Sequence, residues 1–263
     1  MNKLNAVLTT AIATTTLSLA AGTASAATLL ALGADGQLFK IDSATQKVTS
    51  SMATNSPSPL RGLDVRPANG MLYALGGDNQ LYTLDLSTGA ATKVATLNKQ
   101  LPSSGQAVID FNPAADKLRM LAADGTNFRV NVETGEVVVD GSVAYDADGP
   151  YKGKSAQVMA GAYTNSYAGT QATALYNVDL ASSSLMLQNP PNDGVQQAVG
   201  KIVDGLKAAA MDIASDGKGG NTAYLLTGTT LHTVDLASAK PTTLGDVVGL
   251  PGNIIDIAVL PGM

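Results

Sequence analysis

"IIDIAVL", residues 254–260, stands at the end of a 263-residue chain. It is apolar, rich in β-branched side chains and long enough for one strand. Within this sequence no later run is left for it to pair with, so its partner must lie earlier. The rest of the chain supplies one. "GLDVRPANGMLYALGGDNQLYTLDLSTGAATKVATL" (62–97) recurs as "VIDFNPAADKLRMLAADGTNFRVNVETGEVVVDGSV" (108–143) and as "AMDIASDGKGGNTAYLLTGTTLHTVDLASAKPTTLGDV" (210–247), with a weaker copy in 158–184. Each copy holds short alternating runs parted by Gly, Asn, Asp, Ser and Pro, the pattern of strands joined by tight turns. The stretch 28–52, "TLLALGADGQLFKIDSATQKVTSSM", matches such a copy without its first strand. "IIDIAVL" matches the missing piece, as "GLDVRP" and "AMDIAS" do. The last strand therefore completes the first unit, and a ring that pairs its two ends leaves no open sheet edge.

The first-strand markers Asp64, Asp110, Gly161, Asp212 and Asp256 are 46, 51, 51 and 44 residues apart, close to the period of a four-stranded propeller blade. The expected fold is all-β: a five-bladed β-propeller of four-stranded antiparallel blades. The blades are expected at 254–260 with 28–53, then 61–97, 107–143, 157–203 and 208–247. The runner-up is a six-bladed ring with a degenerate blade inside 144–208. Residues 1–26 read as a cleaved signal peptide, with Lys3, an apolar stretch from Ala6 to Ala21 and the small-residue site Ala24-Ser25-Ala26. Residues 27–263 would then be a single secreted or periplasmic domain, with no membrane insertion after cleavage.

Composition narrows the function classes. With 16 basic and 21 acidic side chains the net charge is −5, which argues against nucleic acid or an anionic membrane as partner. There is no cysteine, so neither disulfides nor thiol chemistry is available. No G-x-S-x-G elbow, H-E-x-x-H helix, phosphate-binding loop or complete calcium loop occurs.

Three repeated columns remain. Phe39, Tyr82, Phe128, Tyr176 and His232 share a place on what reads as the third strand, so the single histidine reads as a packing residue in an aromatic column. Asp42, Asp85, Asn131, Asp179 and Asp235 precede turns whose backbone amides they can cap. Asp64, Asp110, Asp212 and Asp256 each stand between apolar neighbours on the innermost strand. Alternation turns each carboxylate away from those neighbours and towards the ring axis. Two readings stay open for this column: latches onto backbone amides of the next blade, or ligands. No cofactor is expected, although an oxygen-rich ring of these four acids would suit Ca²⁺. Asn192 and Asp193 in "LQNPPNDGVQQ" (187–197) join them as candidate ligand-binding residues, and 144–156 is a second irregular stretch.

The stretches D-F-N-P (110–113), A-Y-T-N (162–165) and N-P-P-N-D-G (189–194) resemble the bacterial family called domain of unknown function 4394, and the resemblance runs from about 29 to 260. It implies a secreted, propeller-like repeat protein and brings no activity and no catalytic residues. The expectation is an exported, monomeric binding or interaction module that presents propeller loops to a protein or glycan. The alternatives are a metal-assisted hydrolase or lactonase-like enzyme using the axial carboxylates, and a structural envelope or matrix protein.

Overall fold

A computed structural model describes residues 26–102 and 105–262. The proposed signal peptide therefore lies outside the described residues, except for its last residue, Ala26. The described chain is all-β. Its strands are β1 (Thr28–Gly33), β2 (Gln37–Asp42), β3 (Lys47–Ala53), β4 (Leu60–Val65), β5 (Leu72–Gly76), β6 (Gln80–Leu84), β7 (Ala91–Thr96), β8 (Val108–Asn112), β9 (Lys117–Leu121), β10 (Asn127–Asn131) and β11 (Glu136–Val139). They continue with β12 (Ala144–Tyr145), β13 (Val158–Tyr163), β14 (Leu175–Asp179), β15 (Ser184–Gln188), β16 (Val195–Lys201), β17 (Ala210–Ser215), β18 (Asn221–Thr227), β19 (Thr230–Val234), β20 (Pro241–Asp246) and β21 (Ile254–Leu260).

Five sheets form, in the orders β21-β1-β2-β3, β4-β5-β6-β7, β8-β9-β10-β11, β13-β14-β15-β16-β12 and β17-β18-β19-β20. The inner strands β21, β4, β8, β13 and β17 pack on one another in that order and back to β21, so the ring has five blades. The run "IIDIAVL" is the inner strand of the first blade. It pairs antiparallel with β1, Thr28 opposite Leu260 and Leu32 opposite Asp256. Stretch 144–208 holds one blade, not two, which removes the six-bladed alternative.

Apolar packing fills the seams between blades. Leu30, Leu38 and Ala258 of the first blade meet Leu63, Leu72 and Leu84 of the second. Tyr73 and Leu81 of the second meet Ile109, Phe111 and Phe128 of the third, with Tyr73 edge-on to Phe111. The turn glycines are part of this fit. Gly89 has φ 73°, and a Cβ there would fall 2.3 Å from the carbonyl of Ala53 on the first blade, so only glycine can carry both the turn and the close approach.

The fourth blade is built differently from its expected alignment. "LYNVD" (175–179) resembles the third strands of the other blades, but it is the second strand of its sheet, paired to β13 on one side and β15 on the other. The long loop 164–174 occupies the place of the usual turn and second strand. The stretch 187–197, expected as a loop, instead supplies the end of β15, a turn and the start of β16. The sheet then gains a fifth strand, since Ala144 and Tyr145 pair parallel with Val195 and Gln196 along its outer edge. Tyr176 consequently leaves the aromatic column and packs towards the fifth blade.

Candidate functional site

The innermost strands place the acids. Asp64, Asp110, Asp212 and Asp256 are all buried, and oxygens of Asp64, Asp110 and Asp212 come within 4.8 Å of one another. An inner strand has an unpaired edge towards the axis, and its orphan amides need acceptors. The acids supply them across the seams. Phe111 N–H donates to Asp64 Oδ2 at 2.7 Å, Tyr163 N–H to Asp110 Oδ1 at 2.9 Å and Leu63 N–H to Asp256 Oδ2 at 2.8 Å. Val259 N–H donates to Asp212 Oδ2. Asp64, Asp212 and Asp256 also accept from the residue that follows each of them, Val65, Ile213 and Ile257. Four of the five seams thus carry an aspartate latch between consecutive blades.

Two positions in the column move. Tyr163 bonds towards the third blade through its backbone and through its hydroxyl, which accepts from Arg119 Nε at 3.2 Å, so Tyr163 is the counterpart of Phe111 and Ile213. Ala160 and Ala162 face the fifth blade, the direction in which every aspartate faces the next blade. The fourth-blade counterpart of the aspartates is therefore Ala162, one residue on from Gly161. Gly161 faces the third blade, and a Cβ there would lie 2.1 Å from Asn177 Oδ1. Asp256 takes the amide before Asp64, while Asp64 takes the amide after Asp110. The last strand is thus displaced by one residue pair along the axis, roughly 7 Å, and Asp256 sits apart from the other three acids.

Burial raises the proton affinity of all four carboxyls, because charge is poorly solvated there. Asp212 is pushed up to about 6 by burial, against the pull of Val259 and Ile213 N–H. Asp64 is raised well above the usual carboxylate range by burial and then by Asp212. Asp110 is raised by burial and then by Asp64 and Asp212, and Asp256 chiefly by burial.

Asp64 and Asp212 reach a cleft of about 920 Å³ at the mouth of the ring, where β4, β17 and β21 end. Its walls include Ser166 and Tyr167 from the 164–174 loop and Asp216 and Asn221 from the fifth blade. The loop is held from beneath: Asn165 N–H donates to Asn221 Oδ1 at 2.7 Å and Asn221 Nδ2 to Asn165 Oδ1 at 2.9 Å. Reading the sequence missed Ser166 and Tyr167, whose only signal was the long polar stretch after "AYTN".

Asn192 and Asp193 lie elsewhere, in the β15–β16 turn at the seam of the third and fourth blades. Asn192 Oδ1 accepts from Arg119 Nη2 at 2.8 Å, and Asp193 is exposed. Arg119 is 1% exposed and donates as well to Asn127 Oδ1 and Asp140 Oδ2, both at 2.6 Å. Burial opposes the charge on Asp140, but Arg129 and Arg119 outweigh it and hold the carboxyl below its ordinary range. Asn177, Gln188 and Gln196 continue this buried polar seam through mutual amide bonds of 2.8 to 3.0 Å.

His232 is buried on β19 between two hydroxyls, Nε2 to Thr227 Oγ1 at 2.9 Å and Nδ1 to Thr243 Oγ1 at 3.0 Å. Burial lowers its pKa, so the ring is neutral at pH 7. The turn acids cap their own turns: Asp42 accepts from Ala44 and Thr45, Asp85 from Ser87, and Asp235 from Ala237 and Ser238.

No protein with a curated description matches this chain. Among solved structures, a protein of unknown function from Bacteroides thetaiotaomicron VPI-5482 is similar at 16% identity with a TM-score of 0.52, over 89% of this chain and 65% of that one. A protein of unknown function from Bacteroides caccae is similar at 11% identity and a TM-score of 0.43, over 90% of this chain and 100% of that one. An auxiliary nutrient binding protein from Bacteroides ovatus ATCC 8483 is similar at 16% identity and a TM-score of 0.45, over 74% of this chain and 55% of that one. At these identities the likeness concerns the fold alone. Residues 38–258 match the family described as "Domain of unknown function (DUF4394)", and the chain belongs to that family.

Proposed function

We propose that the protein is an exported binding module that takes a polar, hydroxyl-rich ligand of the glycan class in the cleft at the mouth of the ring. The observation that carries this reading is the lining of that cleft. Tyr167 brings an aromatic ring to the lining, Ser166 a hydroxyl, and Asp216 a carboxylate whose Oδ1 caps its own turn. A planar ring beside directional polar groups is the chemistry that holds a sugar, whose rings carry C–H faces and hydroxyl rims. The latched acids support the same reading. Asp64, Asp212 and Asp256 each accept one backbone amide of the next blade and one of the residue that follows them, so these carboxylates already serve as latches. Export rests on the character of residues 1–26. The closeness of Asp64, Asp110 and Asp212 favours the second reading, a metal-assisted hydrolase.

Calorimetric titration with a panel of free neutral and amino sugars tests the first reading. The expected result is saturable binding of at least one sugar, weakened tenfold or more by Tyr167→Ala and by Asp216→Asn. No binding across the panel, or binding indifferent to both substitutions, would overturn it.

A further inference from the structure

A second cavity, of about 620 Å³, opens at the seam of the first and second blades. It adjoins the axial cleft across Thr28, Val65, Gly70, Leu260 and Pro261, but its walls differ. Val65, Met71, Leu72, Leu84, Leu86 and Leu260 line it, continuing the buried apolar core of that seam out to the surface. Met71 is 47% exposed there. These apolar walls favour a hydrocarbon, with Thr28, Thr83, Thr92, Asp85 and Lys40 as the polar part of the lining.

One cation lines this apolar space. Lys40 lies on β2, two residues from Leu38, and strand alternation puts both on the face turned to the second blade. Among the described residues Lys40 forms no ion pair. The cavity's own carboxylate, Asp85, accepts Ser87 N–H at 2.7 Å and Ser87 Oγ–H at 2.6 Å in its turn and does not pair with Lys40. An ammonium without a counter-ion at an apolar wall complements an anionic head on an apolar tail.

We propose that this cavity binds a free aliphatic monocarboxylic acid, its tail along the seam between Met71, Leu86 and Leu260 and its carboxylate on Lys40. The volume falls within the range of pockets that enclose a small organic ligand. The site shares a rim with the axial cleft, but Lys40, Met71, Leu72, Leu84 and Leu86 line this cavity and not the cleft.

Titration calorimetry of the full mature chain with octanoate, decanoate and dodecanoate, each below its micellar concentration, tests the proposal. Affinity should rise about fourfold for each added methylene, the factor set by burying one CH₂. Lys40→Gln should weaken all three acids about tenfold, as loss of a charged hydrogen bond does, and leave the chain-length dependence and the binding of 1-decanol unchanged. Met71→Asp should flatten the chain-length dependence. Both substitutions alter side chains that the fold does not rely on, so both variants should melt as the parent does, which separates loss of site from loss of fold. Absence of binding by all three acids, equal affinity in Lys40→Gln, or an unaltered chain-length series in Met71→Asp would each overturn the proposal.

Discussion

Raising the pH from 4 to 7 should weaken this fold, and the axial acids set the size of the effect. Asp64, Asp110, Asp212 and Asp256 all hold their protons more tightly folded than free. For an acid whose folded pKa is raised, the native state binds more protons than the unfolded state between the two values. Stability is therefore full below the unfolded pKa and is lost as pH climbs through the folded one. Asp212 moves from 3.8 to about 6, which at ~1.4 kcal/mol per unit is worth about 3 kcal/mol by pH 7. The other three acids add in the same direction, while His232, lowered by burial, acts against them between its folded pKa and its ordinary value. The exposed turn acids Asp42, Asp85, Asp216 and Asp235 are lowered instead. They act with the opposite sign and below pH 4, where falling pH protonates them. Stability should therefore peak near pH 4, with the melting temperature falling by roughly 6–12 °C towards pH 7 from Asp212 alone. Urea unfolding followed by far-ultraviolet circular dichroism at pH 4, 5, 6 and 7 measures it. Asp110→Asn keeps an acceptor for Tyr163 N–H and removes one titrating group, so its profile should be flatter. A stability that climbs steadily from pH 4 to pH 7 would refute the view that buried, crowded carboxyls sit at the axis.

Four further outcomes follow from the packing. Deleting residues 254–263 removes the inner strand of the first blade, bares the edge of β1 and takes away Asp256 and the Val259 amide. The truncated chain should aggregate or lose its cooperative melt in scanning calorimetry. Arg119→Leu leaves Asn127 and the Asn192 turn without their shared donor and Asp140 paired with Arg129 alone, and should cost about 1–3 kcal/mol in urea unfolding. Gly161→Ala pushes a methyl group against Asn177, which is itself held by Gln188 and Gln196, for a loss of about 1–3 kcal/mol. Gly105→Ala, whose added Cβ meets nothing within 4 Å among the described residues beyond its chain neighbours, should be neutral in the same assay.

What local sequence encodes and what it leaves to assembly separate clearly in this chain. Ring closure was legible because "IIDIAVL" is a strand by composition and 28–52 lacks one; two incomplete units make one blade. The aspartate column was legible by alternation, since each acid stands between apolar neighbours. Its partners were not, because the seam offset between blades comes from how whole sheets dock. That is why the displacement of Asp256 appears only in three dimensions. The fourth blade misleads for a physical reason. Tyr176 and Asp179 write the chemistry of a strand followed by a capped turn, and Asp179 does cap one, accepting Ser182 N–H at 2.7 Å. Nothing in "LYNVD" says whether it is second or third in its sheet. A one-residue slip reverses the face of every side chain, so Gly161 and Ala162 exchange roles once the seams are seen. The cleft was least legible: Tyr167 sits in a polar stretch with no strand pattern, and only the fold brings it to the cleft that Asp64 and Asp212 reach.

The role of the axial acids decides between the two functional readings, and a metal titration addresses it directly. Melting of residues 27–263, first stripped of metal and then with increasing Ca²⁺, separates latches from ligands, because an ion that binds only the folded state raises the melting temperature with concentration. Carboxylates already committed to the amides of the next blade should give no saturable rise at pH 7, and Asp64→Ala and Asp212→Ala should lower the melting temperature equally with and without Ca²⁺. A saturable rise that both substitutions abolish would contradict the latch account and make Asp64, Asp110 and Asp212 a metal centre.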